Sequence, residues 1–93
     1  MRRSGRVDAN HGAVAEFFRA HGCEVESLAP MGRGVPDLLV GWCKNVALVE
    51  VKVERGHATP DQAKFMARFP VWIVRTDADA REVVACLKRS EGP

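Results

Sequence analysis

Charged residues flank two neighbouring apolar segments of the chain, and their types suit metal-dependent hydrolysis. Asp37 precedes the apolar residues 38–40, while Glu50 and Lys52 follow the apolar residues 46–49. A charge buried at the end of an apolar strand is costly unless a partner compensates it. Two interpretations follow: Lys52 forms a salt bridge with one acid, or the two carboxylates bind a metal ion with the lysine beside them.

The spacing predicts that these three side chains share one face of a β-hairpin. Residues 36–53 have the pattern of two antiparallel strands around a turn at residues 42–45. If Gly41 pairs with Val46, the two acids lie opposite each other, with Cβ atoms roughly 5 Å apart. The lysine follows the second acid by two residues and faces the same side. Only a one-residue shift of register or a bulge would separate the three side chains.

Two carboxylates and an amine in this arrangement fit the hydrolysis of a phosphodiester. Closely spaced carboxylates repel each other unless a proton or a cation intervenes. Mg²⁺ takes carboxylate oxygens, retains waters and accepts phosphate oxygens. Such a cation binds the scissile phosphate and acidifies an attacking water, while Lys52 orients that water or stabilises the developing charge.

Three motifs in this part of the chain resemble the signature of the PD-(D/E)xK nuclease superfamily. They are Gly34-Val35-Pro36-Asp37, Glu50-Val51-Lys52 and Thr59-Pro60-Asp61-Gln62. Within the superfamily they are similar to the small virus-type replication-repair nuclease (VRR-Nuc) domain, and the resemblance covers nearly the whole chain. It implies one α/β domain over residues 1–93, with a restriction-endonuclease-like αβββαβα core and a mixed four-stranded sheet flanked by helices.

The resemblance also implies a role for each motif residue. Asp37 and Glu50 are expected to bind Mg²⁺ or Mn²⁺, with the Val51 carbonyl as a third oxygen ligand. Lys52 is expected to serve the attacking water, and Gln62 to position the lysine or the water. The implied activity is structure-selective endonucleolytic cleavage of DNA, in replication, repair or recombination. Branched DNA or Holliday junctions are the expected substrates, and a homodimer would present two sites to two strands.

Two other functions remain open from the residues alone. The first is a DNA-binding module that has kept the fold and lost catalysis, but degenerate members usually lose an acid or the lysine. The second is a structural salt bridge between Lys52 and Glu50, which would leave Asp37 as an unpaired acid. Retention of all three residues favours the enzyme.

Basic residues outside the motifs, together with Gly34 of the first motif, are candidates for contacts with DNA phosphates. The set comprises Arg2, Arg3 and Arg6 in a predicted flexible arm over residues 1–6, Arg33 and Gly34 in the loop before Asp37, and Lys64 and Arg68 on the second predicted helix. A solvated terminus explains the arm equally well. A plain connector with a solvated arginine is the alternative for the loop.

The remaining elements follow from periodicity and from capping signals. Helices are predicted over residues 8–21, 59–69 and 79–89, strands over residues 23–29 and 71–74, and a frayed tail over residues 90–93. Thr59 and Gln62 form a capping box at the start of the second helix. Its buried side is predicted to contain Phe65, Met66 and Phe69. The two hairpin strands are apolar on both faces, which predicts a sheet covered on both sides.

The first helix offers several polar candidates for the site. In the resembled superfamily a helix-one acid can assist the metal, and related domains more often carry it near the position of Ala13. Here the candidates are Asp8, Asn10 and Glu16, with capping favoured for Asp8 and a solvated position for Glu16.

Two further residues have open roles. Trp42, at the hairpin tip, contacts a partner or a base, or covers the hairpin end. His57 contacts phosphate or aids proton transfer, although a lone loop histidine more often does neither.

Composition limits the function less than the motifs do. The chain has 93 residues, a net charge of +2 and three cysteines without a CxxC motif. This charge is too small to prove a nucleic-acid partner, and the cysteines do not predict a disulfide framework or a zinc site. With no signal peptide and no apolar run of transmembrane length, we expect a cytoplasmic protein in a bacterial or phage-infected cell.

Overall fold

The structure, a computed structural model, describes the backbone of residues 2–53 and 56–89 and the side chains of residues 11–53 and 56–89. Its elements are α1 (Arg2–Ala20), β1 (Glu24–Ser27), β2 (Leu38–Trp42), β3 (Asn45–Val51), α2 (Pro60–Met66), β4 (Trp72–Val74) and α3 (Asp77–Arg89). A single 3-10 turn, Ala29–Met31, lies between β1 and β2. This order confirms the predicted αβββαβα fold class.

The four strands form one mixed sheet in the order β1-β2-β3-β4. The first three strands are antiparallel, and β4 runs parallel to β3. Gly41 pairs with Val46, which confirms the predicted hairpin register. Cys43 and Lys44 have φ angles of 49° and 71° at the turn, as a two-residue type I′ turn requires. The turn therefore fixes the alignment of the two strands that carry the acids.

The apolar core lies between the sheet and the two long helices, α1 and α3. Its largest fully buried side chains include Phe18 of α1, Val40 of β2, Val49 of β3 and Val83 of α3. Alternation along β2 and β3 directs one set of aliphatic side chains to these helices. Burial of this set holds the hairpin rigidly against the helices, which fixes the ends of β2 and β3.

The opposite face of the sheet is only partly covered. Leu39 and Leu48 are half-buried there, and Val46 is 65% exposed. Helix α2 is two turns long and has no buried residue. Of the three side chains predicted to be buried, Phe65 and Met66 are half-buried, whereas Phe69, beyond the end of α2, is 42% exposed, so the prediction is wrong for Phe69. The two phenylalanine rings instead stack on each other, with centroids 4.6 Å apart. Full coverage of both faces, expected from the apolar strands, is therefore not found.

Several helix and strand boundaries differ from the predicted ones. Helix α1 begins at Arg2 and so includes residues predicted to form a flexible arm. These residues can be helical because arginine is a good helix former and one glycine costs a helix only about 1 kcal/mol. Helix α3 begins at Asp77 because Thr76 caps it: the Thr76 Oγ1 accepts from the Asp79 N–H at 3.2 Å, and the Asp79 carboxylate accepts from the Thr76 N–H at 3.2 Å. The predicted tail, 90–93, lies outside the described residues. No helix among the described residues has the length and apolarity needed to span a membrane.

Candidate active site

A cavity of about 370 Å³ lies at the ends of β2 and β3, between α1 and the start of α2. The residues that line it are His11, Asp37, Glu50, Val51, Lys52, Val53, Gly56 and Gln62. All four side chains predicted to be catalytic, and all three predicted metal ligands, therefore contribute to one cavity. The structure brings the three sequence motifs together from two strands and a helix.

Asp37 lies at the entrance to β2 and is anchored to the neighbouring strands. Its backbone carbonyl accepts a hydrogen bond from the Leu28 N–H at 2.7 Å. Its carboxylate Oδ2 accepts another from the Val51 N–H at 2.8 Å. The sequence predicts that a structural salt bridge between Lys52 and Glu50 would leave Asp37 unpaired. This prediction is wrong, since the Asp37 carboxylate contacts the Val51 N–H and the His11 ring in the folded chain.

The last residue of β3 presents a carbonyl group that strand pairing does not use. The Lys52 N–H donates to the Val74 carbonyl of β4 at 3.0 Å. Because successive backbone groups alternate in direction, those of Val51 point towards β2. Continued by two residues beyond the Leu38–Val49 pair, the register would place Pro36 opposite Val51, and proline has no N–H to donate. The Val51 N–H bonds Asp37 instead, and the Val51 carbonyl is available as an oxygen ligand.

Glu50 is a buried carboxylate whose pKa lies above the ordinary value. The residue is 4% exposed, and burial is the largest cause of the raised pKa, followed by the negative charge of Asp37. The Lys52 ammonium opposes this rise from 3.6 Å away. The two acids therefore form a region of excess negative charge that one ammonium does not fully compensate.

Gln62 links the capping box of α2 to the charged residues. Its Oε1 accepts from the Lys52 Nζ at 2.6 Å and from the Thr59 N–H at 3.0 Å, while its Nε2 donates to the Glu50 Oε2 at 2.8 Å. The Gln62 N–H also donates to the Thr59 Oγ1 at 3.2 Å, which completes the capping box. Both roles expected of Gln62, capping and proximity to the acids, are present together.

The loop before Asp37 packs closely on the first turn of α2. Gly34 has a φ angle of 82°, and a Cβ there would lie 2.4 Å from the Asp61 carbonyl oxygen. Only glycine permits this backbone conformation and approach without strain. The structure thus gives Gly34 a packing role that sets the distance between the loop and Gln62. Neighbouring Arg33 is exposed, so its predicted contact with DNA is sterically possible.

The first helix contributes His11, which the sequence interpretation missed. The His11 Nε2 lies 3.2 Å from the Asp37 Oδ2. Among the predicted candidates, Glu16 is exposed and pairs with Arg19 at 3.4 Å, while the side chains of Asp8 and Asn10 lie outside the described residues. His11 precedes Val14 by three residues and Phe18 by seven. This helical spacing, which places His11 on the core-facing stripe, was the available signal.

The other predicted contact residues lie away from the cavity or outside the described side chains. Lys64 is exposed on α2, and the Arg68 guanidinium lies 5.1 Å from the centre of the Phe69 ring. The side chains of Arg2, Arg3 and Arg6 are not among those described. His57 is exposed and does not line the cavity. Trp42 is half-buried, and the Lys88 ammonium lies 5.4 Å from the centre of its ring. This position favours the role in which Trp42 covers the end of the hairpin.

The donor set fits a hard divalent cation better than a zinc ion. Two carboxylates and a backbone carbonyl are oxygen ligands of the kind Mg²⁺ and Mn²⁺ prefer. Burial and, after it, the negative charge of Asp37 raise the pKa of Glu50, and a divalent cation between the two carboxylates would neutralise their charge. Within residues 11–53 and 56–89, no three His, Cys, Asp or Glu side chains form a metal-binding cluster. A cation here would retain several waters, as Mg²⁺ commonly does.

Comparisons of the chain with protein-family models, curated proteins and solved structures find no match. Membership of the PD-(D/E)xK superfamily and of the VRR-Nuc group therefore stays a prediction from the motifs.

Proposed function

We propose that the chain is a Mg²⁺- or Mn²⁺-dependent endodeoxyribonuclease that hydrolyses phosphodiester bonds in branched DNA. One observation carries the proposal: Asp37, Glu50, Lys52 and Gln62 converge on a single cavity, with Glu50 buried beside a second carboxylate. A buried carboxylate beside a second acid and an ammonium is an expensive arrangement for stability alone. A buried carboxylate with a perturbed pKa in a cleft is more typical of a functional site.

Each residue has a definite task in this proposal. Asp37, Glu50 and the Val51 carbonyl hold the cation, which when bound supplies Lewis-acid activation of the phosphate and of a water. Lys52 stabilises the negative charge that develops on the phosphate and orients the attacking water. Gln62 holds the Lys52 ammonium through its carbonyl oxygen and the Glu50 carboxylate through its amide nitrogen. The glutamine thereby fixes the distance between the cation ligands and the amine.

The proposed substrate follows from the exposed basic residues. Arg33 lies in the loop that leads to Asp37, Lys64 lies on α2, which begins beside the cavity, and Arg68 lies in the turn after α2. These cations neutralise DNA phosphates near the cleaved bond. Contacts with phosphates carry no sequence information, so we propose selectivity for DNA structure. A homodimer would cut two strands of a Holliday junction during replication, repair or recombination in the cytoplasm.

One observation favours the alternative of a catalytically silent DNA-binding module. Lys52, Gln62 and Glu50 form a closed network of two hydrogen bonds and one ion pair. Among the described residues, no buried side-chain nitrogen or oxygen lacks a hydrogen-bond partner. Such a network can be purely structural. Cleavage, as distinct from binding, decides between the two functions.

The test is cleavage of labelled four-way junction, flap, nicked and linear DNA with Mg²⁺, with Mn²⁺ and with EDTA. We expect metal-dependent cleavage, strongest on the branched substrates, that is lost in Asp37→Ala and about 10²–10³-fold slower in Lys52→Ala. Cleavage that survives EDTA or Asp37→Ala, or that keeps the parental rate in Lys52→Ala, would contradict the metal mechanism. Binding without cleavage under either metal would establish the silent module.

A further inference from the structure

We infer that His11 is a positioning residue that holds the Asp37 carboxylate in its cation-binding orientation. The inference rests on the proposed function, because it concerns how the same cavity receives a divalent cation. Its basis is the contact between the His11 Nε2 and the Asp37 Oδ2 at 3.2 Å.

Two nitrogen atoms, one from the backbone and one from a side chain, converge on one oxygen of Asp37. The Val51 N–H donates to Oδ2 at 2.8 Å, and the His11 ring nitrogen approaches the same oxygen at 3.2 Å. Two contacts from different elements restrain both the position and the rotation of the carboxylate. Neither anchor occupies Oδ1, which is the oxygen left to face a cation.

His11 is suited to this task because its backbone is fixed by the core. One helical turn further on, Ala15 is 8% exposed, and Phe18 is completely buried. The side chains of His11 and Asp37 are themselves only 21% and 17% exposed. A partner held in this way costs little conformational entropy when the cation binds. Outer partners of metal-binding carboxylates commonly change metal affinity 10- to 100-fold when they are removed.

The experiment measures Mn²⁺ affinity by titration calorimetry for the unaltered chain, His11→Ala and His11→Gln. The glutamine amide nitrogen reaches about as far as Nε2, so His11→Gln keeps a donor while the alanine removes it. We expect Mn²⁺ binding about 10-fold weaker in His11→Ala and largely restored in His11→Gln. Far-ultraviolet circular dichroism of each variant checks that the fold is retained.

A second measurement uses the metal-free protein and does not depend on a variant. A neutral imidazole can donate to Asp37 only if its proton is on Nε2. Nitrogen NMR of the histidine rings should therefore show the Nε2–H form for His11. The Nδ1–H form would overturn the inference. Nitrogen coupling to Mn²⁺ that is lost in His11→Ala would do so as well, because the imidazole would then be a direct ligand.

A third variant, Asp37→Asn, distinguishes failure of this inference from failure of the proposed function, because it alters a proposed cation ligand directly. If Mn²⁺ binding depends on Asp37 but His11→Ala binds as tightly as the unaltered chain, the positioning role fails and the metal site stands. Equal losses in His11→Ala and His11→Gln, with both variants folded, also reject the role. If the unaltered chain binds no Mn²⁺, both the inference and the proposed function fail.

Discussion

Val49 and Glu50 are consecutive residues of β3, and they represent two regions of the molecule that are built in opposite ways. Val49 is completely buried, and Glu50 is 4% exposed. Val49 belongs to the apolar core under α1 and α3, whereas Glu50 faces a second carboxylate, an ammonium and an amide in the cavity. Burial of the valine stabilises the fold, while burial of the ionised carboxylate opposes it.

The packed core keeps the strands rigid, and this rigidity holds the charged residues of the cavity in place. Aliphatic contacts along one face of β2 and β3 hold the two strands against α1 and α3. The carboxylates can then stay close together at a cost that the core offsets. Substitutions in the core should therefore change stability, and those in the cavity should change activity more than stability.

The largest expected effect is loss of stability when a core ring is removed. Phe18→Ala should destabilise the chain by about 3–5 kcal/mol, because the side chain is completely buried and leaves a cavity. Leu48→Ala, on the partly covered face, is the matched comparison and should cost clearly less. Urea unfolding of both variants tests this. Equal losses would mean that both faces of the sheet contribute alike.

A substitution in the cavity should change activity strongly and stability little. Lys52→Ala should lower the cleavage rate by about 10²–10³-fold, as loss of one charge-stabilising group commonly does, while the melting temperature stays within a few degrees. Lys44→Ala, on the exposed hairpin turn, is the control and should leave both quantities unchanged. Rate and thermal melting are measured on the same preparations. A Lys52→Ala variant that unfolds would assign the lysine to structure.

Disturbing the contact between α2 and the loop before Asp37 should have an intermediate effect on stability. Gly34→Ala should reduce stability by more than the roughly 1–2 kcal/mol of left-handed backbone strain, because its Cβ would clash with the Asp61 backbone. Gly32→Ala is the control, since Gly32 has a φ angle of 63° but no atom within 4 Å of an added Cβ. Thermal melting separates clash from strain. Identical losses of stability in the two variants would show that α2 can move away from the added Cβ at little cost.

The smallest effect concerns the charge of Glu50. Its folded pKa is raised by burial and by Asp37, so its contribution to stability is complete below the unfolded pKa and is lost as pH rises through the folded pKa. Without metal, Glu50→Gln should therefore melt a few degrees higher than the parent at neutral pH, with the difference vanishing in acid. Mg²⁺ should stabilise the parent more than the variant.

The control for that prediction is Glu24→Gln, because Glu24 is exposed on β1. Its melting temperature should follow the parent across the same pH range. A Glu50→Gln variant that melts lower than the parent at neutral pH would show that the Lys52 contact outweighs burial.

The hairpin could be predicted from the sequence because its information is local. Alternation of residue types defines which side chains share a face, so the facing positions of Asp37, Glu50 and Lys52 followed from the register. The capping box likewise placed Gln62 at the start of a helix. Both patterns involve residues that are close together in the sequence, where backbone geometry allows few alternative structures.

Contacts between distant elements could not be predicted in the same way. The contact of His11 with Asp37 depends on how α1 crosses the end of the sheet, and a histidine on a core-facing stripe looks like an ordinary core residue. The exposure of Phe69 depends on whether another element covers α2. Periodicity shows which side chains share a face, but not what lies against that face.

The central claim is that the end of the β2–β3 hairpin binds a divalent cation between Asp37 and Glu50. Anomalous diffraction from crystals grown with Mn²⁺ tests it most directly. The account predicts a single strong peak within ligand distance of both carboxylates and of the Val51 carbonyl, and no such peak in Asp37→Asn crystals. A peak elsewhere, or an ordered Lys52 ammonium in that position at saturating Mn²⁺, would contradict it.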